Sequence, residues 1–134
     1  MYFCGKKVML NTFKNYLLTN NIAIQNEYET TISFKKDDLY YLFIIYKDDP
    51  FYFRIILPNI LQVTDDNKDK IKQLVNDINL KFKVAKAFIV DDKNVWISVE
   101  QFAYTIDKID DLFNRIFILY TSILEEIKGK IKDL

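Results

Sequence analysis

The chain has 134 residues, enough for one domain with a sizeable core. Half of them are hydrophobic, 16% are aromatic, and Gly and Pro occur only twice each, which excludes a disordered tail. Nineteen basic residues balance nineteen acidic ones, so no global field draws the chain to a phosphate backbone or an anionic membrane; neither nucleic acid nor membrane is expected as a partner.

In chain order, Met9, Leu10, Phe13, Tyr16 and Leu17 recur at helical spacing ahead of Asn20-Asn21, a pair suited to closing a helix, which predicts a first helix over residues 6 to 19. TTISFK then alternates, and two richer runs, YYLFIIY and FYFRIIL, follow on either side of KDDP. Together they predict a three-stranded meander. Asp66 and Asn67 are N-caps for a second helix in which Ile71, Leu74, Val75, Ile78 and Phe82 form one stripe. KVAKAFIV and VWISVE flank DDKN as a hairpin, and Thr105 or Asp107 opens a last helix carrying Leu112, Phe113, Ile116, Tyr120, Ile123, Ile127 and Ile131. The expected architecture is a single α+β domain over 1–134, ordered α-β-β-β-α-β-β-α, with a five-stranded, mostly antiparallel sheet packed with helices. Were the last helix to run from Asp107 to Lys132 it would be about 39 Å long, longer than a strand needs for cover, and its stripe out to Ile131 would suit a second subunit.

The two rich runs are apolar on both sides, so the sheet needs two covers. With Lys47 to Pro50 as the loop, Tyr46 pairs with Phe51, Ile44 with Phe53, Leu42 with Ile55 and Tyr40 with Leu57 on one face. The other face then holds Tyr41, Phe43 and Ile45 against Ile56, Arg54 and Tyr52. In the second hairpin, Val90 opposite Val95 pairs Phe88 with Ile97 and leaves Trp96 and Ser98 beside Ala87 and Ile89. The side that tolerates Arg54, Ser98 and Glu100 is taken as the outer face. A two-residue turn at Asp37-Asp38 would put Ile32 and Phe34 on the outer face, whereas a three-residue loop from Lys36 to Asp38, the preferred reading, places them in the core. Tyr41, Phe43, Ile45, Tyr52, Arg54, Ile56 and Trp96 are thus the candidate partner surface, the alternative being that one of the three helices covers them.

Five Asp-Asp doublets, at 37-38, 48-49, 65-66, 91-92 and 110-111, invite a reading as metal or acid-base sites. Four fall between elements, where Asp stabilises turns, and the fifth opens a helix, where negative charge suits the dipole. None has EF-hand spacing. The chain has no histidine, no glycine-rich loop and no Cys/His cluster for zinc, so no catalytic residue, metal or cofactor is expected. An enzyme would have to work through Asp and Lys. Base stacking on FYFRIIL is disfavoured by its single Arg. Cys4 stands alone without a basic or histidine partner, MYFCGKKVML lacks a signal-peptide layout, and no apolar run nears the roughly 20 residues that span a bilayer; a cytoplasmic location is expected.

From Phe53 to Glu100 the chain resembles a known group. A strand ending Leu57-Pro58 leads to a helix with Leu74-Val75-Asn76-Asp77-Ile78-Asn79, then to Ala87-Phe88-Ile89-Val90-Asp91-Asp92 and Val95-Trp96-Ile97-Ser98. The order of elements and these segments are similar to YbjN-like proteins and to class I type III secretion chaperones of the CesT kind. Val75, Asn76, Ile78 and Asn79 match a "vNxiN" helix core, and Lys86, Ala87 and Phe88 match a "gkf" strand with Ala in place of Gly. The resemblance implies a small dimeric binding protein without catalytic residues, holding a protein client or serving a regulatory role. Secretion chaperones are distinctly acidic, and this chain is neutral. An uncharacterised structural role is the other alternative to an enzyme.

Overall fold

A computed structural model describes residues 6–133. The chain runs α1 (Lys6–Thr19), β1 (Ala23–Glu27), β2 (Thr31–Lys36), β3 (Leu39–Tyr46), β4 (Asp49–Gln62), α2 (Lys68–Lys81), β5 (Ala85–Val90), β6 (Asn94–Phe102) and α3 (Ile109–Lys130), ending in a 3-10 turn, Ile131–Asp133. The strands form one sheet in the order β1-β2-β3-β4-β6-β5, every neighbouring pair antiparallel. The class is α+β, as expected, with six strands rather than five. The extra strand is β1, AIQNE, in which every residue but Ile24 is exposed. Such a polar edge has no alternation to read, and a bulge between Ile24 and Asn26 further breaks its register against β2. Cys4 lies outside the described residues.

All three helices pack on one face of the sheet. α1 lays Phe13 on Phe43 with ring centroids 4.0 Å apart, α3 lays Phe117 against Phe34 and Tyr41, and α2 delivers Leu74 and Ile78 to the same core cluster. From α3, Tyr120 reaches through to the sheet backbone, its hydroxyl donating to the Ile55 carbonyl at 2.6 Å with the Ile97 carbonyl at 3.2 Å. Ile127 is buried by the chain itself and Ile131 is half-exposed, so the overhanging stripe expected of the last helix is not present. The helix spans 22 residues, about 33 Å.

Helix ends show two departures. Asn67 is the N-cap of α2, yet its side chain accepts from the Thr64 amide at 2.7 Å instead of capping the helix. α3 is opened by Lys108, with φ 57°, in place of Thr105 or Asp107, and Asp110 and Asp111 fill its first turn. Asn21, at φ 57°, closes the first helix as expected.

The strand registers correct the expected faces. Tyr46 pairs with Asp49 across a turn at Lys47-Asp48, and the next pair is Ile45 with Phe53, so four steps along β4 answer one along β3. This irregularity shifts the register by one from that expected, giving Phe43↔Ile55 and Ile44↔Arg54. Because side chains alternate, a one-residue slip moves a whole strand to the other face. Tyr41, Phe43 and Ile45 therefore join Phe53, Ile55 and Leu57 under the helices. The β2–β3 turn is the two-residue one at Asp37-Asp38, with Lys36 opposite Leu39, and Ile32 and Phe34 still enter the core because β3 itself is reversed. In the second hairpin Val90 pairs with Asn94 around a three-residue loop, so Phe88 stands opposite Trp96 and Ala87 opposite Ile97.

Two of the five doublets, 37-38 and 91-92, acquire a mechanical explanation here. Among the described residues eight other than glycine have positive φ, and six of them are Asn or Asp: Asn21, Asp37, Asp38, Asn59, Asp91 and Asp92. In a chain with only two glycines, these short polar side chains occupy the left-handed positions its turns require.

Candidate functional site

The face of the sheet opposite the helices is carried by alternate residues of β3, β4, β5 and β6. β3 contributes Tyr40, Leu42, Ile44 and Tyr46, and β4 contributes Tyr52, Arg54 and Ile56; Phe88 comes from β5, and Trp96, Ser98, Glu100 and Phe102 come from β6. No described helix packs over it. Of the seven expected surface residues, Tyr52, Arg54, Ile56 and Trp96 lie here, although Ile56, held between Leu42 and Ser98, is only 3% exposed. Tyr41, Phe43 and Ile45 are core residues and leave the set. Tyr40, Leu42, Ile44, Tyr46, Phe88 and Phe102 take their place. Sequence reasoning missed them because the two sides of β3 are almost equally apolar; the one usable signal was the pair of amphipathic tyrosines, Tyr40 and Tyr46, at the ends of the outer set.

Arg54 organises the centre. Its Nε donates to Ser98 Oγ at 2.9 Å and lies 3.2 Å from Glu100 Oε1, while Nη1 donates to the Tyr46 hydroxyl at 3.2 Å. Lys86 Nζ reaches Glu100 Oε2 at 3.2 Å. These contacts follow from register, since Arg54 is the cross-strand partner of Glu100, and Lys86 is the partner of Ser98. Ser98, fully buried beneath them, is the one buried polar residue among the described ones. Burial, followed by the negative charge of Glu100, pushes the Tyr52 phenol up to about 12. Burial alone would lower Arg54, but the bond to Tyr46 and the nearby Glu100 carboxylate more than reverse it. The guanidinium is a fixed cation.

Aromatic rings flank this centre. Tyr46 lies 5.3 Å from Tyr52, Tyr52 lies 5.4 Å from Phe102, and Phe102 lies 6.4 Å from Tyr104. On the other flank Phe88 and Trp96 sit 6.3 Å apart, and the indole N–H donates to Asn59 Oδ1 at 3.0 Å. Asn59 is aimed there by an irregularity in β4 between Leu57 and Leu61, where its φ is 55°. The surface has rigid rings, a paired cation and mobile hydroxyl protons, which equips it to grip a complementary surface. Nothing in it forms a nucleophile-and-base pair. Among the described residues no group of three or more Cys, Asp or Glu is placed to hold a metal. Asp65 and Asp92 do meet Lys68 and Lys72 around a shallow cavity of about 330 Å³.

No protein-family model and no curated protein matches the chain. Among solved structures, the crystal structure of YbjN from E. coli, a proposed transcription regulator, superposes with a TM-score of 0.67 at 12% identity, covering 90% of this chain and 91% of that one. The fold is YbjN-like. At that identity the likeness to YbjN speaks for the fold alone. It spans nearly the whole of both chains, so the helix layer and the sheet both belong to the shared architecture. Among the described residues no helix is long and apolar enough to cross a membrane.

Proposed function

We propose that this chain is a non-catalytic protein-binding module, regulatory or chaperone-like, that grips a partner through the open face of its sheet and works as a homodimer. The observation that carries this reading is the concentration of Tyr, Trp, Phe and Arg on one rigid, helix-free surface. Those residue types dominate the energetics of protein interfaces, because they bring large contact area at small entropic cost. The strands hold the rings in place before any partner arrives, which reduces the ordering cost of binding. YbjN's description as a proposed transcription regulator agrees with a regulatory role, and the balanced charge favours a protein over a polyanion as the direct partner. The dimer contact is assigned to this face, since the stripe of α3 is spent inside the chain.

The test uses Tyr40 and Phe102, which are 58% and 55% exposed and can change without disturbing the core. A Tyr40→Ser, Phe102→Ser chain keeps its melting temperature but loses self-association in sedimentation experiments and loses partners retained by the parent chain on an affinity column. A variant that assembles and binds like the parent would remove the open face from consideration.

A further inference from the structure

We propose that a second site, on the helix side of the sheet, binds a small amphipathic anion: an apolar body carrying one carboxylate. The site is a cavity of about 520 Å³ between the end of α2, the start of β5 and the middle of α3, within the roughly 300–1,000 Å³ usual for small-molecule sites. Its floor is apolar, made by Phe82, Leu112, Ile116 and Leu119. Its mouth is cationic. Lys83 and Arg115 line it, both exposed and neither in an ion pair with any described residue, and no Asp or Glu is among the lining residues. Lys81, also at the mouth, is tied to Glu126 at 2.7 Å and lies over the Phe82 ring. An apolar well with two uncompensated cations at its rim complements an anion with a greasy tail.

Two further observations place a ligand there. Gln101 follows Val95, Ile97 and Val99 in the alternating set of β6 that faces the helices, where an apolar side chain is expected. It lines the cavity instead, with an amide that makes no hydrogen bond to another described residue, and so offers a donor to a carboxylate inside. Val84 has φ 54°, a left-handed conformation that a β-branched residue rarely adopts. The Glu100 amide donates to the Val84 carbonyl at 3.1 Å, holding this conformation and leaving Val84 54% exposed at the rim. Strained backbone of this kind gathers at ligand clamps.

Calorimetric titration of the whole chain with decanoate tests the site, with decanol and decyltrimethylammonium as uncharged and cationic comparators. The expected result is one saturable decanoate site, with both comparators about tenfold weaker or more, and a loss of about tenfold or more in a Lys83→Glu, Arg115→Glu chain that melts like the parent. Absence of saturable decanoate binding, equal binding of decanol, or full affinity in the charge-reversed chain would overturn it. Binding that survives charge reversal but disappears in the Tyr40→Ser, Phe102→Ser chain would also overturn it, placing the ligand on the open face. Loss of partner binding with decanoate binding intact would separate failure of one site from failure of the other.

Discussion

Single side chains of this molecule perform tasks that hydrophobicity alone does not describe. Tyr120 is almost fully buried and joins α3 to two adjacent strands through one hydroxyl. Tyr120→Phe leaves the ring in place and removes the bond, with an expected cost of about 1–3 kcal/mol in denaturant titration, because strand carbonyls lose a buried donor. Tyr41 supplies a pH signature. Burial, helped by the nearby charge of Asp37, raises its phenol from 10.0 to about 12. Between those values the unfolded chain releases a proton that the folded chain retains, so stability is complete below pH 10 and falls as pH rises toward 12. At about 1.4 kcal/mol per unit the expected loss from Tyr41 is about 2–3 kcal/mol, and Tyr41→Phe should lessen that fall without abolishing it, since Tyr52 is raised over the same range. The Tyr at 41 was legible as a strand residue but not as a core one. Its neighbour Tyr40, on the opposite face and 58% exposed, is the same residue type, so nothing in the pair tells which turns inward.

At the scale of elements, existence was easier to read than register. The three helices and five of the strands announce themselves by period, since each buries a stripe or a face against the same core. Registers depend on loops, and the loops here contain aspartates where glycine would have marked the turn. Asp37-Asp38, both at positive φ, close the β2–β3 hairpin in two residues. Asp38→Gly should stabilise the chain by about 0.5–1 kcal/mol in thermal melts, as the left-handed conformation costs glycine nothing. The edge strand β5 shows a device that hydrophobic periodicity does not disclose. The Asn79 side chain accepts from the Ala87 amide at 2.6 Å and donates to the Ala87 carbonyl at 3.0 Å, standing in for a neighbouring strand. Asn79→Ala leaves both backbone groups without that partner. It should cost about 1–3 kcal/mol and, by freeing an edge, introduce concentration-dependent association visible in light scattering.

For the whole molecule, the two faces of the sheet have different fates. One is sealed by rings from two helices and three strands, with Phe13 at the centre against Phe34, Phe43 and Phe113. Phe13→Ala should cost about 3–5 kcal/mol in chemical denaturation, a large share of the roughly 5–15 kcal/mol that a domain of ordinary stability has. Phe43→Asp should fail to fold at all. The other face shares the same aromatic character and lacks that cover, which is why composition predicted two greasy faces yet could not assign them. That assignment rested on one extra-long step in β4, the kind of local irregularity that hydrophobic periodicity averages away. Up to Leu57 of β4, the odd-numbered positions of β3, β4 and β6 face the core, while the exposed even-numbered ones, Tyr40 and Phe102 among them, answer only to whatever lies outside. A new binding specificity could therefore be written into those exposed positions without rewriting a word of the fold.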